Sequence, residues 1–537
     1  MAGEKEYIVT VKKGVNWLEV HDQLIGTTSG VENIPDRPVE VVALKPNNNR
    51  NTIYSLTDEE VASLRNDPRI EAVIDPSKRR FGKVAVQEGN FNKTYTATGE
   101  QQNWGLLRHT SPTNNFGAST SDPGGTYDYV LDGTGVDIVV IDSGIEPGHP
   151  EWLDSNGVSR LQQINWYTES GVPGTFDANH YKDTDGHGTH VTGTVAGRTF
   201  GWAKNARIYS IKLDDLCGPL DAGTGLPSTD IFDVVLGWHN AKAGSRPTVF
   251  NASFGMVIGL NTNLTPNRIV DLNGNILAAV TGGSYRGVAH SITTRSALFS
   301  RGLGRGQQVF GGVYVYGVYD AAVDADTDQL ISAGCVACIS AGNSGSKFDI
   351  PGGVDYDNYL TLDADVIGDG SFRWYYNRIG SPSIGTNAGF NVGALDREAY
   401  DSTLDRKADF SDAGPAVNIY TAGEAIVSAV SNSNDGLTGD YTPQDYYLNN
   451  AFKQAKLVGT SMASPQMAGL AACLLQAHPA WSPAQVTSWF QNNAQDKIFS
   501  TGLNNDYTVA NSLWGGTQRV AYFPLKGQKP FDYTSSV

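Results

Sequence analysis

One stretch near the C-terminal end decides the fold: residues 459–469, which read GTSMASPQMAG. The overlapping run 467–475 is small or apolar on every side, which predicts a buried helix rather than an amphipathic one. Thr460 and Ser461 are suitable N-cap residues, and Pro465 fits an early turn. A serine at the start of a buried helix lies beside backbone N–H groups that favour negative charge. This position suits a nucleophile whose attack creates an oxyanion, although a helix that only packs closely on a sheet would show the same pattern.

Two further stretches complete a set of three. Residues 136–141, VDIVVI, form a continuous apolar strand pattern that leads into Asp142, and residues 185–193, DGHGTHVTG, put His187 at a second helix start. Because a serine hydroxyl is a weak nucleophile, it needs a base in contact, and the base needs an orienting anion. We assign Ser461 as the nucleophile, His187 as general base and then acid, and Asp142 as the carboxylate that fixes the histidine tautomer. The chain order Asp, His, Ser differs from the orders of chymotrypsin and the α/β-hydrolases.

The three stretches closely resemble the signatures D-[ST]-G, H-G-T-H-V and G-T-S-M-A-S-P of the subtilisin-like serine proteases, the subtilases or peptidase family S8. The resemblance implies a three-layer α/β fold, in which helices cover both faces of a mainly parallel central sheet. It also implies that the first histidine of H-G-T-H is catalytic, so His190 is expected to be structural. Residues 103–108 and 198–204 resemble the proteinase K type within this family.

The order of strand and helix patterns along the chain favours the same fold class. Strand patterns alternate with helix patterns, which predicts a parallel sheet with helices on both faces. The patterns cover residues 207–213, 230–243, 248–255, 320–333 and 334–340. In such a sheet the active site lies at the carboxyl ends of the strands, where Asp142 and Asn343 both fall.

A further stretch supplies the expected oxyanion hole. Residues 340–345, SAGNSG, follow an apolar strand pattern and resemble the A-A-G-N segment of the family. The resemblance implies that the side chain of Asn343 and the backbone N–H of Ser461 stabilise the oxyanion.

The substrate cleft is expected at a neighbouring strand edge. Ser253, Phe254 and Gly255 resemble the S-L-G edge of the family, on which an extended substrate adds as a strand. Ala341 and Gly342 are also expected to bind the substrate. Phenylalanine in place of leucine at position 254 is expected to narrow the S4 side of the cleft.

Residues 1–80 are expected to form a separate small α/β domain. A strand pattern at 7–11, a capping box that begins at Thr57 and a second strand pattern at 70–74 favour this interpretation. Residues 56–76 resemble the subtilase propeptide, an inhibitor-like domain whose last strand directs its tail into the active site. An unrelated small domain stays an alternative.

Residues 81–102 are polar and rich in Gly, Asn and Thr, which is typical of a linker. The resemblance to a propeptide implies a processing site here. The basic residues 78–80 are one candidate for this site, although basic clusters in linkers are commonly just solvated. We expect a single self-cleavage between about residues 78 and 102, after which the N-terminal domain stays bound as an intramolecular inhibitor.

Residues 103–537 are assigned to the catalytic domain. The stretches 257–318 and 346–379 break the alternation and are interpreted as insertions that form small sheets or long loops beside the cleft. Ser482 opens a helix through a second capping box. The tail, 505–537, is expected to pack as strands on the surface.

The sequence does not specify a metal site. Cys335 and Cys338 lie three apart in an apolar strand pattern, so their thiols point to opposite faces and are expected to be core residues. Many relatives bind structural calcium, and the resemblance places one ligand position at Asn418. Because Asn is a weaker ligand than Asp, structural calcium stays open, and the chemistry itself requires no cofactor. Gln466 stands where relatives carry histidine.

Composition limits the partners. The 537-residue chain has a net charge of −17, which argues against nucleic acid or an anionic membrane as a partner. Four cysteines do not make a disulfide framework, and no apolar run has the length of a membrane span. The first seven residues lack the apolar region of a signal peptide. We therefore expect a protein that acts inside a cell, leaves it by a non-classical route or belongs to a larger particle.

The sequence thus predicts a serine endopeptidase that hydrolyses protein or peptide substrates through an acyl-enzyme and is made as a self-processing precursor. Two alternatives stay open. One is a structural, virion-associated or surface-associated protein of the same fold that cleaves only itself. The other is a peptide ligase or macrocyclase on the same triad, which would have to keep water from the acyl-enzyme.

Overall fold

A computed structural model describes most of the chain. The described residues are 4–26, 31–45, 47, 50–78, 81–83, 103–114, 129, 131–216, 223–291, 294–304, 306–310, 312–385, 388–434, 437, 441–500 and 513–523. They form a small N-terminal sheet domain, a large central sheet between two helix layers, and a second large sheet beside it. No helix within these ranges is both long and apolar enough to cross a membrane.

The N-terminal domain has the order strand, helix, strand, strand, helix, strand. Its elements are β1 (Lys5–Val11), α1 (Trp17–Ile25), β2 (Glu40–Leu44), β3 (Asn51–Leu56), α2 (Asp58–Leu64) and β4 (Ile70–Ile74). The antiparallel sheet has the order β2-β3-β1-β4, which is the ferredoxin-like arrangement. The capping box is confirmed, since Thr57 and Glu60 each accept the other's backbone N–H at the start of α2. One face of the sheet packs on both helices of the domain.

The central sheet has nine strands. They are β6 (Asp137–Asp142), β7 (Leu161–Gln162), β8 (Arg207–Lys212), β9 (Thr248–Ala252), β16 (Val336–Ser340), β19 (Gly389–Leu395), β20 (Ile419–Ala422), β24 (Gln495–Asp496) and β25 (Arg519–Val520). Their order is β24-β25-β20-β19-β16-β9-β6-β8-β7. All neighbours pair parallel except β24 and β25. The prediction of a mainly parallel central sheet is therefore confirmed.

Helices cover both faces of this sheet, as predicted. One face carries α5 (His187–Ala196), α9 (Thr460–Ala477) and α10 (Pro483–Asn493), and the other carries α4 (Trp166–Ser170), α6 (Ile231–Ala241) and α8 (Ala321–Ser332). Alternate residues of β6 divide between the two cores: Ile138 and Val140 face α5 and α9, whereas Val139 and Ile141 face α6. Short helices lie at α3 (Gly105–Arg108) and α7 (Arg295–Phe299), and 3-10 turns at Pro76–Lys78, Pro150–Trp152 and Asp214–Leu216.

The two interpreted insertions share one antiparallel sheet. Its strands are β10 (Phe254–Asn261), β11 (Arg268–Val270), β12 (Ile276–Tyr285), β13 (Val288–His290), β14 (Gln307–Phe310), β15 (Val313–Gly317), β17 (Tyr359–Leu362) and β18 (Arg373–Trp374). Their order is β14-β15-β10-β11-β12-β17-β18, with β13 beside β12. The pairing of β12 with β17 joins the first stretch to the second. A smaller sheet contains β21 (Ile426–Val430), β22 (Gln444–Tyr446) and β23 (Asn449–Leu457).

The C-terminal tail differs from the expectation of surface strands. In its described part, residues 513–514 and 520–523 are buried and residues 515–519 are exposed or half-buried; Val520 pairs with β20 at the edge of the central sheet, and Phe523 packs in the core. Burial of its apolar side chains explains the difference, because only an interior position removes them from water. The remaining predicted tail lies outside the described residues. The proposed domain boundaries at 80 and 102 stay predictions.

Candidate active site

Asp142 and His187 meet where β6 ends and α5 begins. The Nδ1 of His187 lies 2.8 Å from Asp142 Oδ1, and both side chains are buried. The backbone N–H of Ser143 also donates to Asp142 Oδ1, at 2.7 Å. Because an ionised carboxylate only accepts hydrogen bonds, the His187 proton belongs on Nδ1, which leaves Nε2 able to accept a proton.

A buried carboxylate that sequence reasoning missed joins these two elements. Asp183 accepts hydrogen bonds from the backbone N–H groups of Gly186, the N-cap of α5, and of Thr189 in its first turn, both at 2.9 Å. It also accepts from the hydroxyl of Ser143 at 2.9 Å, and that hydroxyl accepts from Gly188 N–H at 2.9 Å. Asp183 therefore fixes the start of the His187 helix against the strand that carries Asp142. Its position four residues before His187 was the available signal.

Ser461 lies in the first turn of α9, but the helix is capped differently from the prediction. The N-cap is Gly459, whose φ of +143° suits glycine, and neither Thr460 nor Ser461 caps the helix. The Thr460 hydroxyl instead accepts from the N–H of Gly342 at 3.1 Å and donates to Asn343 Oδ1 at 2.8 Å. Pro465 lies in the second turn of the 18-residue helix, after its first four N–H groups.

The proline position ties the nucleophile to the cleft edge. Pro465 has no N–H, so it cannot donate to the carbonyl of Ser461, four residues earlier. That carbonyl accepts from the Ser253 hydroxyl at 2.9 Å, and the Ser461 hydroxyl donates to the Ser253 carbonyl at 3.0 Å. These two bonds fix the residue before β10 directly against Ser461.

Asn343 follows β16 and is oriented by the same helix. Its Oδ1 accepts from the Thr460 N–H and from the Thr460 hydroxyl, each at 2.8 Å. The amide nitrogen therefore lies on the opposite side of the group, as a donor needs to. The next turn is held by Asp412, which accepts from the N–H groups of Ser344 at 3.1 Å and Ser346 at 2.6 Å. Burial raises the pKa of Asp412 to about 7.

The predicted substrate residues line one cleft. Phe254, Gly255, Ala341 and Gly342 all line the same pocket. The first insertion adds residues 315–317 to its wall. Ser253 contacts Ser461 as described above, so all five predicted positions fall at this end of the sheet.

A segment of the chain itself lies along the cleft edge. Strand β5 (Phe81–Lys83) pairs antiparallel with β10, with Phe81 opposite Met256 and Lys83 opposite Phe254. This is the position in which an extended peptide would add to the edge as a strand.

The remaining sequence candidates are structural. His190 is buried and contacts the carbonyl of Ile426 through Nε2 at 3.0 Å; burial lowers its pKa to about 3, so it stays neutral. Cys335 and Cys338 are buried in opposite cores of the central sheet, and burial raises the pKa of both thiols. Neither is therefore suited to bind a metal.

Structural calcium at Asn418 stays a prediction. Asn418 donates its amide nitrogen to the carbonyl of Gly389 at 2.8 Å, which leaves one neutral side-chain oxygen for a ligand. Calcium takes six to eight oxygen ligands. Across the described ranges, no group of three or more His, Cys, Asp or Glu side chains could hold a metal ion.

Gln466 has a role that the sequence did not reveal. Its Oε1 accepts from Asn103 Nδ2 at 2.9 Å and from Trp202 Nε1 at 2.7 Å, and its Nε2 donates to Asn103 Oδ1 at 2.6 Å. All three bonds are buried. Gln466 therefore fixes the segment that follows the linker onto the nucleophile helix.

Comparison with known sequences decides the family. The sequence model of the subtilase family matches residues 133–509, which is more than half of the chain and includes all three motifs. The chain belongs to the subtilase family. This subtilase is 25% identical over 398 residues to a cuticle-degrading serine protease of Arthrobotrys oligospora, with 74% of this chain and 63% of that protein covered. It is 24% identical over 476 residues to subtilisin-like protease 5 of Arthroderma benhamiae, with 87% of this chain and 81% of that protein covered.

A bacterial relative and a solved structure agree with the family. The subtilase is 24% identical over 440 residues to an extracellular serine proteinase of a Thermus species, covering 82% of this chain and 69% of that protein. The crystal structure of fervidolysin from Fervidobacterium pennivorans, a keratinolytic enzyme related to subtilisin, superposes with a TM-score of 0.51 at 17% identity. It covers 98% of this chain and 62% of that one. At this identity the likeness shows the fold alone.

Proposed function

We propose that this subtilase is a serine endopeptidase that uses Asp142, His187 and Ser461, and that it is made as a precursor that cleaves itself. The observation that carries the proposal is the pairing of β5 with β10. A peptide strand of the chain lies along the cleft edge, and that edge leads directly to the Ser253 carbonyl that binds the Ser461 hydroxyl.

The proposed chemistry follows from the contacts of His187. Because Asp142 engages Nδ1, the proton of the Ser461 hydroxyl passes to Nε2 as the serine oxygen bonds to the scissile carbonyl carbon. The carbonyl oxygen becomes negative and is stabilised by the Asn343 amide and the Ser461 N–H. The imidazolium then gives its proton to the leaving amine as the C–N bond breaks. Water repeats the sequence on the acyl-enzyme and releases the acid.

The register of β5 predicts the bond that the precursor cuts. Lys83, the last residue of β5, lies opposite Phe254, and Val84 is the next residue in sequence. Val84 and the rest of the predicted linker lie outside the described residues. Ser253 is the residue in contact with Ser461, so we propose cleavage after Val84. Cleavage within one molecule is fast because the strand is already held beside the nucleophile.

The N-terminal domain is proposed to remain bound after this cut. Ile8, Ile53 and Ile74 pack on Ala322 of α8, and Asn51 donates to Asp326 of the same helix at 2.5 Å. The product strand β5 would then occupy the cleft as an inhibitor until the domain is degraded.

Labelling and mass spectrometry test the proposal. A fluorophosphonate should label Ser461 alone, and His187→Ala should abolish the label. The wild-type chain should be cut once, after Val84, at a rate independent of protein concentration, and Ser461→Ala should stay intact. Turnover of denatured casein by the matured enzyme separates a general protease from a protein that cleaves only itself. Cleavage of Ser461→Ala at the same bond, or labelling of a different serine, would refute the assignment.

A further inference from the structure

The second insertion contacts the N-terminal domain through a short loop. Residues 365–371, which we call the clasp loop, connect β17 to β18 and belong to the stretch interpreted as an insertion. Asp365 shapes the loop, because its two carboxylate oxygens accept from the N–H groups of Gly368 at 2.8 Å and Gly370 at 3.0 Å. Ile367 anchors the loop in the apolar core beside the insertion sheet. The clasp loop is therefore a built feature with a defined backbone.

The loop presents one carbonyl oxygen to two donors of the N-terminal domain. Gly368 O accepts from Arg65 Nη2 at 2.9 Å and from the backbone N–H of Asp75 at 3.3 Å. The same Arg65 nitrogen donates to the Val73 carbonyl of β4 at 2.7 Å. Arg65 thus bridges the last strand of the domain to the clasp loop. Asp75 follows β4 directly and begins the segment that leads to β5 in the cleft.

The two glycines of the loop are required by this contact. Gly368 has a φ of +89°, and a Cβ there would lie 3.1 Å from the carbonyl oxygen of Asp75. Gly370 has a φ of +73°, and a Cβ there would collide with the guanidinium of Arg65. A side chain at either position would therefore push the domain or its arginine away.

We propose that the clasp loop is a docking surface for the N-terminal domain, which holds the cleaved domain on the enzyme and so sets the delay before activity appears. This proposal rests on the proposed function, because a delay exists only if the chain is cut. The described residues hold the domain at four linked places: on α8, on the clasp loop, along β10 and, through Lys45 and Asn47, at the start of α6. The contributions of linked contacts to the overall binding constant multiply, so the loss of one contact speeds release of the domain even though the others remain.

The first test uses the uncut Ser461→Ala chain. Amide hydrogen exchange at Asp75 reports the bond to Gly368 directly. Gly370→Ala should speed that exchange about tenfold or more, because Arg65 must leave the loop. Gly352→Ala is the matched control: it lies in the same insertion with a φ of +83° and has no atom within 4 Å of the added Cβ. Equal exchange at Asp75 in the two variants would overturn the proposal.

The second test uses the active chain. Arg65→Ala and Gly370→Ala should be cut as fast as wild type, yet should lose the N-terminal fragment about 10 to 100 times faster, as expected for loss of a charged hydrogen bond. The lag before hydrolysis of a fluorogenic peptide should shorten, with kcat/KM of the matured enzyme unchanged. Lys12→Ala is the control within the domain, since Lys12 Nζ donates to the Pro68 carbonyl of the same domain at 2.7 Å. A lag in both variants equal to that of the controls would overturn the proposal. If the wild-type chain is not cut, the proposed function is wrong, and the proposed delay is wrong as well. The hydrogen-exchange measurement would still decide whether the clasp loop docks the N-terminal domain.

Discussion

The orientation of Asn343 gives the sharpest prediction for catalysis. Its Oδ1 is held by two donors of Thr460, so its amide nitrogen is set as a donor before any substrate arrives. Asn343→Ala removes that donor, and loss of one oxyanion donor lowers kcat by roughly 10²–10³, or about 2.7–4 kcal/mol of transition-state stabilisation. KM should change little, because the donor acts on charge that develops only in the transition state.

Two further substitutions separate the donor from its support. Asn343→Asp keeps an oxygen for both Thr460 bonds but has no donor when ionised, so its kcat should fall as far as that of Asn343→Ala. Thr460→Val keeps the backbone bond to Asn343 and loses the two hydroxyl bonds, one donated to Asn343 and one accepted from Gly342 N–H. The lost bond to Asn343 is worth about 1 kcal/mol, so kcat should fall about fivefold. The kcat should therefore fall least in Thr460→Val, and further and to a similar extent in Asn343→Asp and Asn343→Ala.

The assay is steady-state hydrolysis of a peptide amide by the matured enzyme. Active-site titration with a fluorophosphonate gives the concentration of competent Ser461 in each variant, so kcat is compared per active molecule. If an Asn343 variant keeps the wild-type kcat, this side chain contacts no reacting atom. If the substitution mainly raises KM, the side chain binds the substrate in the ground state instead.

Three further predictions concern stability and are measured by thermal unfolding in the Ser461→Ala background, which prevents self-digestion. Arg108→Met should lower the free energy of unfolding by about 3–5 kcal/mol, because it breaks the fully buried bidentate pair with Asp405. The double variant Arg108→Met with Asp405→Leu should recover most of this free energy. A double variant as unstable as Arg108→Met would contradict this explanation. Gln466→Ala should lower the free energy of unfolding by about 2–4 kcal/mol, since it removes three buried hydrogen bonds. Burial raises the pKa of Asp412 to about 7, so the folded chain binds more protons than the unfolded chain between about pH 4 and 7, and the free energy of unfolding falls as the pH rises through that window. Asp412→Asn should remove that part of the fall, and an unchanged pH profile would show that this carboxyl does not titrate there.

The sequence alone predicted the features that depend on local order. The alternation of apolar strands and helices predicted a parallel sheet with two helix layers, because periodicity is a property of neighbouring residues. The motifs around Asp142, His187 and Ser461 predicted a strand end and two helix starts, and each of these side chains lies at such a position. The two capping boxes were also correct, since each is closed within four residues.

Competition between local and distant partners explains where the predictions for the N-cap of α9 and for the C-terminal tail differ from the structure. Thr460 is a good N-cap by type, yet its hydroxyl accepts from the N–H of Gly342, which is 118 residues away in sequence. The tail was expected on the surface, but its apolar residues complete the central sheet. In both cases a tertiary contact outcompetes the local preference that the sequence displays.

Only the tertiary structure decided how distant segments pair. The two insertions carry no mutual signal in sequence, yet β12 and β17 join them into one sheet, because strand partners are selected by side-chain packing and register rather than by local pattern. The same reason hid the register of β5 on β10, the role of Asp183 and the contact of the clasp loop with Arg65. The residues expected to carry out the chemistry could be read from motifs, whereas the contacts that position and cover them exist only in the folded chain.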